Sequence, residues 1–160
     1  MNPAVYFEQA KQVLNLPADA KLTSAYKFGD QAEQTNQLGA LVVAGTKTAT
    51  ASAADLYEAD EPLPQVGEYD VVLDANDEPL CVTKTDSVTI KPFSEVDATH
   101  AYREGEGDRS LAYWRQVHQD FFEAEYQEMG RKFDLEQAPI VLEQFHVIYP
   151  VKSEVSDFSD

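Results

Sequence analysis

The sequence is poor in basic residues, nearly free of cysteine, and without a long apolar run. Its 160 residues hold 12 Lys and Arg against 29 Asp and Glu, a formal net charge of −17. Sequence-independent binding to long nucleic acid relies on basic groups that release counterions from phosphates. So few of them on so acidic a surface argue against long duplex DNA as a partner. A small ligand in a pocket escapes that restriction, because there the local placement of Lys47, Arg103, Arg109 and Arg115 matters more than net charge. The acidity also serves solubility.

A single cysteine, Cys81, excludes an internal disulfide, and a reducing cytoplasm is the expected compartment. No segment approaches the roughly 20 apolar residues of a membrane span. The start, Met1-Asn2-Pro3-Ala4, lacks the basic and apolar regions of a signal peptide, so no membrane association is expected. His100, His118 and His146 have no metal-ligand spacing among themselves, and the His-x-Glu and Pro-Cys-x-x-Cys signature of zinc deaminases is absent. Neither a metal nor another cofactor is expected. Repeats and long linkers are also missing, and the sequence sets no oligomeric state.

What is present suits one domain, since 43% of the residues are hydrophobic and can fill a core without staples. Residues 3 to 14, opened by Pro3, read as a first helix within an N-terminal extension to about residue 25. Asp30 offers a cap for a second helix that runs to Ala44, where Gly45 supplies the stop. The β-branched and small residues from Thr48 to Ala53 predict a strand, followed by a helical turn at Asp55-Leu56-Tyr57. Tyr69 to Leu73 and Pro79 to Val88 read as a hairpin around the polar loop 74–78, and Thr89 to Phe93 can extend it. A short helix at Ala98 to Arg103 precedes a long amphipathic one from about Ser110 to Met129. Leu111, Trp114, Val117, Phe121, Phe122 and Tyr126 mark its expected buried face. Ile140 to Ile148 is an apolar strand expected inside the sheet, and Ser153 to Asp160 reads as a short acidic tail. Four helices and five or six strands without a βαβ rhythm predict an α+β domain on a small mixed barrel or sheet.

The most informative stretch is Ala44-Gly45-Thr46-Lys47-Thr48-Ala49-Thr50, which puts one lysine and three hydroxyls where an apolar helix stops. It is not a phosphate-binding P-loop, because five residues rather than four separate Gly39 and Gly45, a threonine precedes the lysine, and the order is helix then strand. Lys47 and Thr50 can form a hydroxyl nucleophile and its activator if the lysine is desolvated. In a regular strand the two point to opposite faces, so that role needs Lys47 in the turn or a bulge. The alternative is a solvated lysine beside strand threonines. Glu104-Gly105-Glu106-Gly107-Asp108 places three carboxylates among two glycines. It supplies either a general acid or base or an acidic turn in which Asp108 caps the next helix. Arg109, Ser110, Trp114, Arg115 and His118 cluster at the start of that helix, either lining a pocket mouth or, for Trp114, filling the core.

Taken together, Phe28-Gly29-Asp30, Gly45-Thr46-Lys47-Thr48-Ala49-Thr50, Val66-Gly67-Glu68-Tyr69, Ala101-Tyr102-Arg103-Glu104-Gly105-Glu106-Gly107-Asp108 and Gln144-Phe145-His146-Val147 form an ordered set. This set resembles the ASCH family, in a longer bacterial branch, from about Tyr26 to Tyr149. The resemblance implies a small β-barrel with flanking helices, similar to the PUA domain of RNA-modifying enzymes. It also implies binding of a nucleoside, a nucleotide or short RNA. In the branch that hydrolyses N4-acetylcytidine, a Gly-x-Lys-Thr-x-Thr motif and a downstream glutamate do the chemistry. By motif match these roles fall on Lys47, Thr50 and Glu104. Thr50 would attack the amide carbonyl, Lys47 would activate it and stabilise the oxyanion, and Glu104 would move a proton to the leaving amine. Thr48, Arg103, Arg109, Ser110, Trp114 and Arg115 are the expected ligand-binding residues. A non-catalytic RNA-binding module, with the arginines on phosphate and Trp114 or Tyr102 under a base, and a ribonuclease on single strands are the alternatives.

Overall fold

The computed structural model describes residues 1–151, so the expected acidic tail lies outside the described residues. The described chain folds as helices α1 (Pro3–Leu14), α2 (Ala32–Ala44), α3 (Ala98–Glu104) and α4 (Leu111–Glu128), and strands β1 (Leu22–Tyr26), β2 (Ala49–Ala53), β3 (Tyr69–Leu73), β4 (Pro79–Pro92) and β5 (Pro139–Tyr149). The strands form one mixed sheet in the order β1-β3-β4-β5-β2, with β1 parallel to β3 and the pairs β3–β4 and β2–β5 antiparallel. The expected α+β class is therefore observed. The sheet is open, with β1 and β2 at its edges, and does not close into the barrel that was the other expectation.

Two compact units make up the chain. Of the described residues, the first comprises 1–45, 67–85 and 145–151. Here α1 starts as the sequence dictates, with the Asn2 side chain accepting from the Ala4 amide at 2.7 Å and Pro3 in the first turn. Side chains alternate across the sheet. Val71, Leu73 and Val82 pack with Phe7 and Ala10 of α1. Val72 and Cys81 face the other way, toward Val42 of α2 and Phe145. Burial pushes the Cys81 thiol up to about 12. Gly39 lets α2 lie close, since a Cβ there would stand 2.5 Å from Leu80 Cδ1. The cap expected at Asp30 falls instead on Gln31, which makes no side-chain capping bond. Gly45 closes α2 in the left-handed conformation, at φ 82°, as the sequence predicts.

The second unit comprises residues 46–66 and 86–144. Its core joins Ala53 of β2, Phe93, Val96 and Ala101, the α4 residues Trp114, Phe122 and Tyr126, and Phe133, Ala138, Ile140 and Leu142. Strand β2 pairs with β5 from Ala49 opposite Gln144 to Ala53 opposite Ile140. Ser110 caps α4 by accepting from the Tyr113 amide, while the Asp108 carboxylate accepts from the Ser110 amide at 2.9 Å. Asp108 thus holds the cap rather than serving as one. Phe121, expected on the buried face, is 52% exposed, because it lies one position round from the fully buried Phe122.

Candidate functional site

The site is built within the second unit, where the turn before β2 meets the end of α3. The Thr48 amide donates to the Arg103 carbonyl at 2.7 Å, which ties residues 46 to 48 to the last turn of α3. This close approach requires Gly105, the left-handed residue that ends α3 at φ 75°. A Cβ on it would stand 2.6 Å from the Thr46 carbonyl oxygen.

Lys47, at the centre of this junction, is 1% exposed. Its ammonium donates to the Ala49 carbonyl at 3.0 Å and to Glu106 Oε2 at 2.9 Å, and it lies 3.3 Å from Glu104 Oε1. The reading as a solvated lysine is thereby corrected, as no solvated cation would be so enclosed. A buried ammonium is costly unless paired, and here two carboxylates face one cation.

Glu104 is equally buried and takes donors on both oxygens. Oε2 lies 2.7 Å from His100 Nε2 and accepts from the Trp114 indole at 2.7 Å, while Oε1 faces Lys47 and stands 3.5 Å from His118 Nε2. Burial alone would raise this carboxyl. Burial is the largest single influence, yet the Lys47 charge together with the His100 and His118 contacts outweighs it and holds Glu104 well below the usual carboxylate range. Helical spacing supplies the donors: His100 and Glu104 share one face of α3, and Trp114 and His118 share one face of α4. The Trp114 and His118 rings stack at 4.2 Å and 15°, and His118 Nδ1 lies 2.9 Å from the Trp114 carbonyl. A carbonyl only accepts, so that nitrogen carries a proton. The approach of Nε2 to Glu104 is attractive only when it carries one too.

The structure brings Lys47 and Glu104 together. Thr50 stands half-buried on β2 in register with Glu143, and Thr48 Oγ1 lies 3.4 Å from the Arg103 carbonyl. Trp114 is 2% exposed and stacked on Phe93, so it holds Glu104 and offers no face to a base. Arg115 donates to the Ser94 and Val96 carbonyls at 3.0 and 2.9 Å, bracing the turn before α3 rather than a phosphate. Ser110 is the helix cap. Arg103 is exposed and hydrogen-bonds the Gln144 side chain.

Arg109 adopts φ 65°, unusual for a residue with a side chain, and donates to the Tyr102 carbonyl at 2.9 Å and the Thr46 carbonyl at 3.4 Å. Its guanidinium lies 3.5 Å from the centre of the Tyr102 ring, and that tyrosine is 57% exposed. Sequence reasoning passed over His100 and did not separate Glu106 from its acidic neighbours. The four-residue spacing of His100 and Glu104, and the glycines on either side of Glu106, were the available signals. Among the described residues no group of three or more His, Cys, Asp or Glu is arranged to hold a metal ion. No described helix is long and apolar enough to cross a membrane.

Comparison with known proteins places the fold. The ASCH domain family model matches residues 24–149. The ASCH domain from Lactobacillus crispatus JV V101 superposes with a TM-score of 0.83 and 32% identity, covering 91% of this chain and 92% of that one. A protein of Enterococcus faecalis V583 gives 0.81 and 34%, covering 92% of each chain. No curated protein matches. The fold is that of the PUA-like ASCH structures, and the chain belongs to the ASCH domain family.

Proposed function

We propose that this ASCH domain binds a nucleoside, a nucleotide or a short RNA end at the junction of Lys47, Glu104 and Glu106. The observation that carries this reading is the fully buried Lys47 held between two carboxylates, one of which reaches the surface. Such a cation is arranged at a cost in desolvation, and strongly perturbed ionisable clusters mark functional sites. The beginning of a ligand surface adjoins it: Tyr102 lies exposed with Arg109 on its ring, and Arg103 is exposed beside it. An aromatic ring and guanidinium groups suit a base and a phosphate respectively. The acidic surface favours a short ligand over a long one.

Within this reading the finer activity is hydrolysis of an acylated nucleoside such as N4-acetylcytidine. Thr50 Oγ would attack the acyl carbon as its proton passes through water to the leaving exocyclic amine, Lys47, an ion-paired ammonium, would donate to the developing oxyanion, and a second water would cleave the Thr50 ester to release the acid. Glu104 would keep Lys47 charged and in place. Its oxygens already serve four protein donors, which suits holding better than proton transfer. Incubation with N4-acetylcytidine and chromatography of released cytidine tests the activity, with Thr50→Val as the variant that removes the hydroxyl at nearly constant size. Release by the native protein and not by the variant is expected. Equal release by both would remove Thr50 from the chemistry, and none by either would leave the binding reading alone. A nuclease on single-stranded RNA is the second enzymatic reading; shortened chains would identify it.

A further inference from the structure

Glu106 is the member of the cluster that meets the outside. Its side chain is 19% exposed, against 1% for Lys47 and 2% for Glu104. Glu104 by itself matches the single Lys47 charge, so Glu106 brings a second carboxylate to one ammonium. A structural ion pair does not require it.

Its position is fixed from both sides. Gly105 and Gly107 both have positive φ, 75° and 58°, and both are pressed against neighbours. A Cβ at Gly105 would meet the Thr46 carbonyl, and one at Gly107 would fall 2.4 Å from Cζ of the Tyr113 ring. The Arg109 amide donates to the Glu106 carbonyl at 3.0 Å and closes the turn. With Oε2 on Lys47 at 2.9 Å, the carboxylate is held in a defined orientation.

We propose that Glu106 selects the ligand by accepting a hydrogen bond from an N–H group on it. Lys47 fixes Oε2, and Oε1 is the acceptor left for the ligand. The group read is an exocyclic N–H, of an amino group or of its acyl amide, because a carboxylate attracts that donor and repels the carbonyl oxygen that stands in its place in uridine or inosine. An acylated exocyclic amine keeps one such N–H, so the same contact serves amino bases and their acyl derivatives. The proposal rests on the reading that the Lys47 junction binds nucleosides, and it assigns Glu106 a role in specificity rather than a place in bond making.

Two pairs of nucleosides that differ in this group make the probe: cytidine against uridine, and adenosine against inosine. Calorimetric titration of the native protein should show the amino member of each pair binding about tenfold more tightly or better, the size of one charge-assisted hydrogen bond. Glu106→Gln, whose amide both donates and accepts, should bring the members of each pair within about threefold of each other. Glu106→Asp keeps the negative charge but draws the carboxylate back by one methylene. It should also lose the preference, which a purely electrostatic role would preserve. Equal affinity within each pair for the native protein, or a preference that survives both variants, would overturn the proposal and leave nucleoside binding standing. Failure of all four nucleosides to bind would overturn the reading of the junction and this proposal with it.

Discussion

Two buried carboxylates, one in each unit, show how partners decide what burial does. Asp70 on β3 is 8% exposed and accepts from the Ser24 hydroxyl at 2.7 Å. Glu104 on α3 is 1% exposed and faces an ammonium, an indole and two imidazoles. Burial raises the Asp70 carboxyl, Glu68 adds to the rise, and the serine bond opposes it without prevailing. For Glu104 the same desolvation is overcome only by Lys47 and the two histidines acting together. A hydroxyl can satisfy a lone pair, whereas only a cation compensates the charge. The first carboxylate is a tolerated polar group in a sheet, and the second organises a site.

The largest effect should come from breaking the charged side of this comparison. Glu104→Ala leaves Lys47, His100, His118 and Trp114 without their common acceptor and should cost about 3–5 kcal/mol of stability, measured by urea unfolding. Asp70→Ala should cost far less, because only one hydroxyl bond is lost.

The glycines sharpen the contrast between the units by geometry instead of charge. Gly105→Ala places a methyl against the Thr46 carbonyl oxygen at a left-handed residue and should destabilise by about 2–3 kcal/mol. Gly67 in the first unit has φ 90° but no atom within 4 Å of an added Cβ. Its alanine variant should cost only the backbone strain, about 1 kcal/mol. Equal losses would mean that the approach of Gly105 to Thr46 is not tight.

The smallest effect is in the pH dependence. The Glu104 carboxyl is depressed in the folded protein, so its stabilising contribution is complete above the ordinary carboxylate range and is lost only as pH falls through the lowered value. The Asp70 carboxyl is raised, so its buried charge weighs on the folded state above that raised value and is relieved as pH falls through it. Asp70→Asn, whose side-chain oxygen can still accept from Ser24, should therefore raise the melting temperature slightly at pH 7. That advantage should vanish on acidification.

Much of the fold was legible where local pattern decides. Pro3 and Gly45 mark helix ends because proline and glycine act through their own backbone, and the apolar spacing of α4 shows its face. Strand β1 was not foreseen: Leu22-Thr23-Ser24-Ala25-Tyr26 is mostly exposed and pairs in parallel with a strand more than 40 residues away. Nothing local announces such a partner. Closure of the sheet is likewise a long-range matter, and the barrel implied by the resemblance is not formed. At the site, residue types at positions 47 and 104 pointed to chemistry, but their meeting depends on the tie between Thr48 and Arg103. Trp114 and Arg115 read equally well as ligand groups, and only packing shows that they turn inward.

The most direct test follows the side-chain carboxyl carbons of Glu104 and Asp70 by NMR through an acid titration. Glu104 should stay ionised through the ordinary carboxylate range while Asp70 takes up its proton above it. A Glu104 signal that titrates with Asp70, or before it, would contradict the account, because Lys47 would not then be held by a standing charge and Glu106 would not be free for a ligand.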